Sequence, residues 1–510
     1  MNKPAKTLAS VLLLAASALA MATSAATAAP YEHVLLISVD GMHALDFANY
    51  VSAHRDGALA SLARTGIVYP NALTTAPSDS FPGLVAQVTG GTPRSTGVFY
   101  DDSYDRTYFA AGSGCHGEPG TEVDFDESID VDSHRLDAGG TPGQPLTQID
   151  PKKLPLTMAN GKCQPVYPHD FVRVNNVFEV VKRHGGRTAW SDKHPAYEWL
   201  NGPSGSGVDD FFALEQDSRI PGTKVKTTGS FKAQRDFDKA RVKALIHQMQ
   251  GFDSTGKTKV AVPQLFGMNF QAVSVGQKLP KAGPGDGAEL VGGYADPAGT
   301  PKNGLAEQLA YVDTAIGELL AGLRDNKLES STLVIVSAKH GQSPIDPARF
   351  QPLDDDPYTK MPGYGFHIAD DAALIWLKPS QRAANLAAAL AFLEKSGKEF
   401  GIAQILTREF LAQAYNDPAT DSRTPDFIVS VNPGVVYTSG SKIAEHGGSN
   451  AEDRSVILLV SNPALEAKSI AASVQTTQIA PTILKALGDD PRELQAVAIE
   501  GTQQLPALPF

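Results

Sequence analysis

The chain contains only two cysteines, Cys115 and Cys163, among 510 residues, which excludes a disulfide-built scaffold and a cysteine-rich zinc module. It also lacks an excess of basic charge: 44 Lys and Arg face 56 Asp and Glu, for a net charge of -12. Such a surface offers no footprint for a nucleic-acid polymer and no basic face for an anionic membrane, so an anionic substrate must be held by local cations or metals. Beyond the N-terminal segment no stretch has the length and apolarity of a membrane span. There is no internal repeat, and low complexity is confined to Ala-rich tracts. With 42% hydrophobic and 20% charged residues, the chain can bury the core of one large α/β domain carrying a subsidiary lobe.

The N-terminus reads as a targeting segment. Lys3 and Lys6 precede an apolar stretch from Leu8 to Ala22, and Ala26-Thr27-Ala28 offers a cleavage site. Residues 1–28 are expected to be a signal peptide, giving a periplasmic or secreted chain with no membrane anchor after cleavage. In that oxidising setting Cys115 and Cys163, which share one Gly/Pro/Asp-rich stretch, are expected to form a disulfide; two free thiols are the alternative.

The run His33-Val34-Leu35-Leu36-Ile37-Ser38-Val39 is almost continuously apolar and ends in Asp40-Gly41, the pattern of a strand buried on both faces that delivers a carboxylate at its C-terminal end. Similar runs recur at Thr332 to Ser337, Ala373 to Leu377, Asp426 to Val431 and Ser455 to Val460, with helical patterns between them. This alternation predicts an α/β fold: a doubly wound, mostly parallel sheet sandwiched by helices, with ligands beyond the carboxyl ends of the strands. The expected core covers residues 29–343 and 426–510, with loop insertions near 101–168 and 278–302, and a small inserted α+β lobe over 344–425.

Three constellations carry the chemistry. Asp40 at a strand end is followed by Ser80-Phe81-Pro82-Gly83, Val88-Thr89-Gly90-Gly91 and a turn running to Tyr104-Asp105; Ser337-Ala338-Lys339-His340-Gly341 ends a second strand; Glu445-His446-Gly447 precedes a third. In this order and spacing the chain resembles the type I phosphodiesterase/nucleotide pyrophosphatase family of the alkaline phosphatase superfamily. The resemblance implies an alkaline phosphatase-like fold and a small phosphoester substrate. It places Ser80 as the nucleophile and Asp40, Ser80, His340 and His446 as metal ligands. A metal-bound hydroxyl at a helix N-terminus is the chemistry such a placement serves.

At three positions the pattern departs. Lys339 stands where the family has a ligating Asp, and Phe266 to Val273 offers Asn269 and Val273 for an Asp and a His. Asn269 is expected as a neutral oxygen ligand, the site holding one or two divalent ions, with zinc as the expected metal. Lys339 is expected to act catalytically, its ammonium standing in for a missing cation by lowering the Ser80 pKa or clamping a phosphate oxygen. A salt bridge to Asp40 in a metal-free descendant is the competing role. Lys193, His194 and Tyr197 are expected to line the substrate site, a solvated loop with Tyr197 packed inward being the alternative.

The sequence thus predicts a phosphoester hydrolase. A catalytically degenerate binding protein is one alternative. A sulfatase is the other, disfavoured because Leu84 follows Gly83 where sulfatases need an Arg.

Overall fold

The computed structural model describes Met1 and residues 30–510; the expected signal peptide lies outside the described residues. Its centre is an eight-stranded sheet in the order Lys468–Ser469, Gly66–Val68, Leu458–Ser461, Thr332–Ser337, His33–Val39, Leu265–Phe270, Thr188–Asp192, Asp210–Ala213. The five strands from Thr332–Ser337 to Asp210–Ala213 are parallel. Leu458–Ser461 runs antiparallel to its neighbour Thr332–Ser337.

The sheet forms where it does because its strands are apolar on both faces. In His33–Val39, Val34 and Leu36 pack into one core layer with Leu84, Val85 and Ile483. Leu35, Ile37 and Val39 pack into the other with Leu309, Val312 and Ile316. Each of these side chains is fully buried or nearly so, a burial that stabilises by about 1.5–3 kcal/mol per residue. Helices Ser80–Thr89, Val177–Arg183 and Ile479–Leu487 cover the first face, and Phe231–Met249 and Asn303–Asp325 the second. The fold is therefore the expected α/β sandwich.

A second, four-stranded antiparallel sheet is built from Tyr364–Ala369, Ala372–Leu377, Phe427–Val431 and Ile402–Leu406, with helix Pro379–Ser396 and a core of its own. This corrects one expected boundary: Phe427–Val431, assigned from sequence to the main core, belongs to the lobe. An apolar run states that a strand is buried, not which sheet buries it. The 101–168 insertion carries two short ladders and is tied down by the Cys115–Cys163 disulfide, which links residues 48 apart in sequence. Buried ion pairs Arg423–Asp105 and Arg106–Asp426 join the insertion to the lobe. Among the described residues no helix is long and apolar enough to cross a membrane.

Candidate active site

The polar residues at the carboxyl ends of the parallel strands converge because the strands are in register. Ser38 pairs with Asn269 on one side and Ser337 on the other, so Asp40, Asn269 and Lys339 emerge at one sheet edge. Thr188–Asp192, next to Leu265–Phe270, delivers Asp192 and Lys193 to the same edge. Ser80 arrives from the opposite direction, as the first residue of helix Ser80–Thr89. The N-cap is Asp79, whose carboxylate accepts the Phe81 N–H at 3.1 Å and the Asp101 N–H at 3.1 Å. The helix can approach the sheet because residue 83 is Gly: a Cβ there would lie 2.1 Å from the Lys339 carbonyl oxygen.

Ser80 Oγ sits 3.2 Å from His340 Nε2 and 3.2 Å from Lys193 Nζ. His340 Nδ1 lies 2.7 Å from the Gly341 carbonyl. A carbonyl only accepts, so Nδ1 carries the proton and Nε2 presents its lone pair to the Ser80 hydroxyl. Burial, reinforced by His446, drives His340 well below its ordinary pKa, so the ring is neutral and able to accept that proton. Lys193 donates to the same oxygen. Burial would lower its pKa, yet Asp40, Asp101, Asp192 and Asp79 hold it above the usual value.

Asp40 is fully buried and its Oδ2 is crowded with donors: Lys339 Nζ at 3.2 Å, Asn269 Nδ2 at 3.2 Å and the Gln271 amide, with the Lys193 ammonium 4.0 Å away. Burial alone would raise its pKa, but the ammonium groups of Lys339 and Lys193 bring it below the usual carboxylate range. Lys339 also donates to Tyr197 Oη at 3.1 Å, and its ammonium lies 4.6 Å from the centre of that ring. Burial lowers its pKa despite Asp40 and Asp192.

The sequence candidates thus fall into two groups. Asp40, Ser80, Asn269, Lys339, His340 and Lys193 share the edge just described. His446 lies against His340 with ring centres 3.7 Å apart and planes tilted by 34°, its Nδ1 3.2 Å from Asp79 Oδ1. His194 and Tyr197 stand back from Ser80. His194 bonds Glu215 at 2.8 Å and Gln216 at 3.2 Å, while Tyr197 is 1% exposed and packs edge-on against Phe81. Tyr197 therefore packs between Phe81 and the Lys339 ammonium. The lysine within reach of Ser80 is Lys193, whereas Lys339 is engaged by Asp40. The sequence reading missed Asp79, although an Asp ahead of Ser-Phe-Pro is an N-cap signal, and Gln271, a polar residue closing an apolar strand.

These residues do not fit a two-ion centre. Val273 is fully buried in the apolar core, Asn269 turns its amide N–H to Asp40, and an ammonium group takes the place of a ligand carboxylate. A divalent ion about 4 Å from one such ammonium would be repelled by roughly 8 kcal/mol at an effective dielectric constant of about 20. Among the described residues, the groups of three or more His, Cys, Asp or Glu donors lying within 4.8 Å of one another are Asp370–Glu445–His446 and Asp354–Asp355–Asp356; neither contains Asp40 or His340. The first is already committed, since Lys278 and Lys442 bind Glu445 and Tyr100 binds Asp370.

A cleft of about 530 Å³ opens at Lys193, with Gln271 and His446 in its wall and Lys278, Lys442 and Lys226 among its other lining residues.

The sequence profile described as "Type I phosphodiesterase / nucleotide pyrophosphatase" matches residues 34–453. No curated protein sequence matches the chain. Among solved structures, an inactive form of murine ectonucleotide pyrophosphatase / phosphodiesterase 5 in complex with AMP is 13% identical, with 90% of this chain and 96% of that chain covered and a TM-score of 0.53. The alkaline phosphatase PafA is 11% identical over the same shares, with a TM-score of 0.60. Phosphonoacetate hydrolase from Sinorhizobium meliloti 1021, in complex with phosphonoformate, is 13% identical over the same shares, with a TM-score of 0.51. At these identities the likeness shows a shared alkaline phosphatase-like fold.

Proposed function

The chain belongs to the type I phosphodiesterase/nucleotide pyrophosphatase family, whose members are phosphoester hydrolases typically dependent on divalent metal, and from that premise we propose that it is an exported hydrolase of small phosphoesters with Ser80 as nucleophile. The observation that carries this reading is the placement of Ser80 Oγ at a helix N-terminus, 3.2 Å from both a proton acceptor, His340, and a cation, Lys193. In the proposed reaction Ser80 Oγ attacks phosphorus while its proton passes to His340 Nε2. The bond to the leaving oxygen breaks, and that oxygen takes the proton. Water then attacks the phosphoserine and gives a proton to His340; the bond from phosphorus to Ser80 Oγ breaks, and His340 passes that proton to the freed Ser80 Oγ.

The adjacent cleft, about 530 Å³ with several lysines in its wall, suits a small ester of nucleotide size, and the AMP complex of the murine relative is consistent with that class. Export to the periplasm or beyond is supported by the charged-then-apolar N-terminal sequence and by the Cys115–Cys163 disulfide. Sulfatase chemistry is disfavoured, since Leu84 is fully buried where a sulfatase would place an Arg.

The Lys339–Asp40 ion pair favours a second reading, an anion-binding protein that has lost catalysis. Hydrolysis of aryl phosphate mono- and diesters by the mature protein, with Ser80→Ala beside it, separates the two. Turnover that falls at least about 10³-fold in Ser80→Ala supports the hydrolase; no turnover from either protein supports the binding protein.

A further inference from the structure

We propose that this centre works with ammonium groups in place of divalent ions: Lys193 is a catalytic residue acting on the Ser80 oxygen, and Lys339 closes the metal position by occupying Asp40. The catalytic half rests on the hydrolase reading; the metal half does not.

The nucleophilic oxygen already has a cation. Lys193 Nζ donates to Ser80 Oγ at 3.2 Å while His340 Nε2 faces the same oxygen at 3.2 Å. When Ser80 loses its proton to His340 and its oxygen bonds to phosphorus, the ammonium stays beside the developing negative charge, a task given elsewhere to a metal ion. Lys193 is 8% exposed, so water screens it little, and it also lines the cleft, where a phosphoryl oxygen would enter.

Asp40, the carboxylate best placed to bind an ion beside Ser80, has one oxygen already engaged, while its Oδ1 has no hydrogen-bond partner among the described residues. Its Oδ2 accepts from Lys339, Asn269 and Gln271, and Lys339 is held in place by Tyr197 and by Asp192, whose Oδ1 lies 4.0 Å from the ammonium. Asp192 is in turn anchored by the Trp190 indole at 2.7 Å. Lys339 is fully buried; a buried ammonium with two carboxylates and a phenol built around it is a designed ion pair, not a solvated accident. Lys339 is accordingly a positioning residue: by neutralising Asp40 it leaves Lys193 free to serve Ser80.

A single substitution should reverse the arrangement. With Asp at 339, Asp40, His340, Ser80 and the new carboxylate would supply an N/O donor set of the kind zinc takes, without an ammonium to repel it.

The test uses the mature protein after dialysis against a chelator, titrated with zinc alone and read by metal analysis and by thermal shift. Wild type should hold less than about 0.1 zinc per chain, show no zinc-dependent rise in Tm, and keep its Ser80-dependent turnover of an aryl phosphodiester in excess chelator. Lys339→Asp should gain about one zinc per chain, with a zinc-dependent rise in Tm. Lys193→Met should lower kcat by about 10²-fold or more with little change in KM, and Lys193→Arg should recover part of that loss. Stoichiometric zinc in wild type, or turnover that chelator removes and zinc restores, overturns the proposal, as does wild-type kcat in Lys193→Met. Loss of the hydrolase reading would look different: turnover would be absent, or untouched by Ser80→Ala, while the zinc titration still decided whether Lys339 closes the metal position.

Discussion

Gly83 is the place where the packing of the fold and the geometry around Ser80 can be tested together. It lies one turn into helix Ser80–Thr89, every residue of which is buried. In an exposed helix, Gly→Ala would stabilise by up to about 1 kcal/mol. Here the added Cβ would sit 2.1 Å from the Lys339 carbonyl oxygen, while ordinary contact begins at 3.4 Å, so helix and strand end must part by about 1.3 Å. The obstacle is backbone at the end of a central strand, and it cannot rotate away as a flexible side chain would. Overpacking of this kind costs about 1–3 kcal/mol, enough to outweigh the propensity gain. The same displacement would carry Ser80 away from His340 and Lys193, and a shift of about 1 Å at reacting atoms costs about 10²-fold in rate. Gly83→Ala is therefore expected to melt a few degrees below wild type and to lose about 10²-fold in kcat/KM on an aryl phosphodiester. A variant with wild-type Tm and turnover within about twofold would refute both the close approach and its role in placing Ser80.

Gly317, inside helix Asn303–Asp325, is the converse case: a Cβ there would meet only Ala58 Cβ, at 3.6 Å. Gly317→Ala should raise stability by about 0.5–1 kcal/mol in denaturant unfolding, without change in turnover. Asp130 is fully buried, and burial together with Glu215 pushes its carboxyl from 3.8 to about 10. Between those values the folded chain keeps a proton that the unfolded chain has released, so this group's contribution is complete below pH 3.8 and is lost as pH rises toward about 10. Asp130→Asn should match wild type near pH 4 and melt higher near pH 8; a gap that does not widen with pH would contradict the assignment.

The sheet and its strand ends were legible because both signals are local. An apolar run that stops at Asp40 or at Lys339-His340 reports a buried strand and the polar edge it feeds. Ser80 was legible only through the surrounding pattern, since a Ser ahead of Phe-Pro is an ordinary helix start. Lys193 could be placed near the site but not at Ser80. Its reach to Ser80 depends on Thr188–Asp192 lying two strands from His33–Val39, with Leu265–Phe270 between them, and strand order is a property of the whole sheet. Tyr197 was left open for the same reason: a tyrosine in a site loop can line the site or pack inward, and only the folded chain brings Phe81 and Lys339 against it. Phe427–Val431 shows the limit of hydrophobic pattern, which marks burial without naming the partner sheet.

The replacements at this site also depend on one another, which a buried ion pair makes measurable. Lys339→Met alone would leave Asp40 charged, with Lys193 Nζ, 4.0 Å away, as its nearest remaining ammonium. Removing one partner of a buried pair costs about 3–5 kcal/mol, whereas removing both can be close to neutral. Asp40→Asn combined with Lys339→Met should therefore be more stable than Lys339→Met, with a coupling energy of at least about 1 kcal/mol across the four-member cycle in denaturant unfolding. Turnover should move in parallel. In Lys339→Met the unpaired carboxylate would draw Lys193 off Ser80 and lower kcat, and in the double variant, with no charge left on residue 40, Lys193 would return to the nucleophile. If the two substitutions instead add in stability and the double variant is no faster than Lys339→Met, then Lys339 does not govern Asp40, and Lys193 is held at Ser80 by other groups.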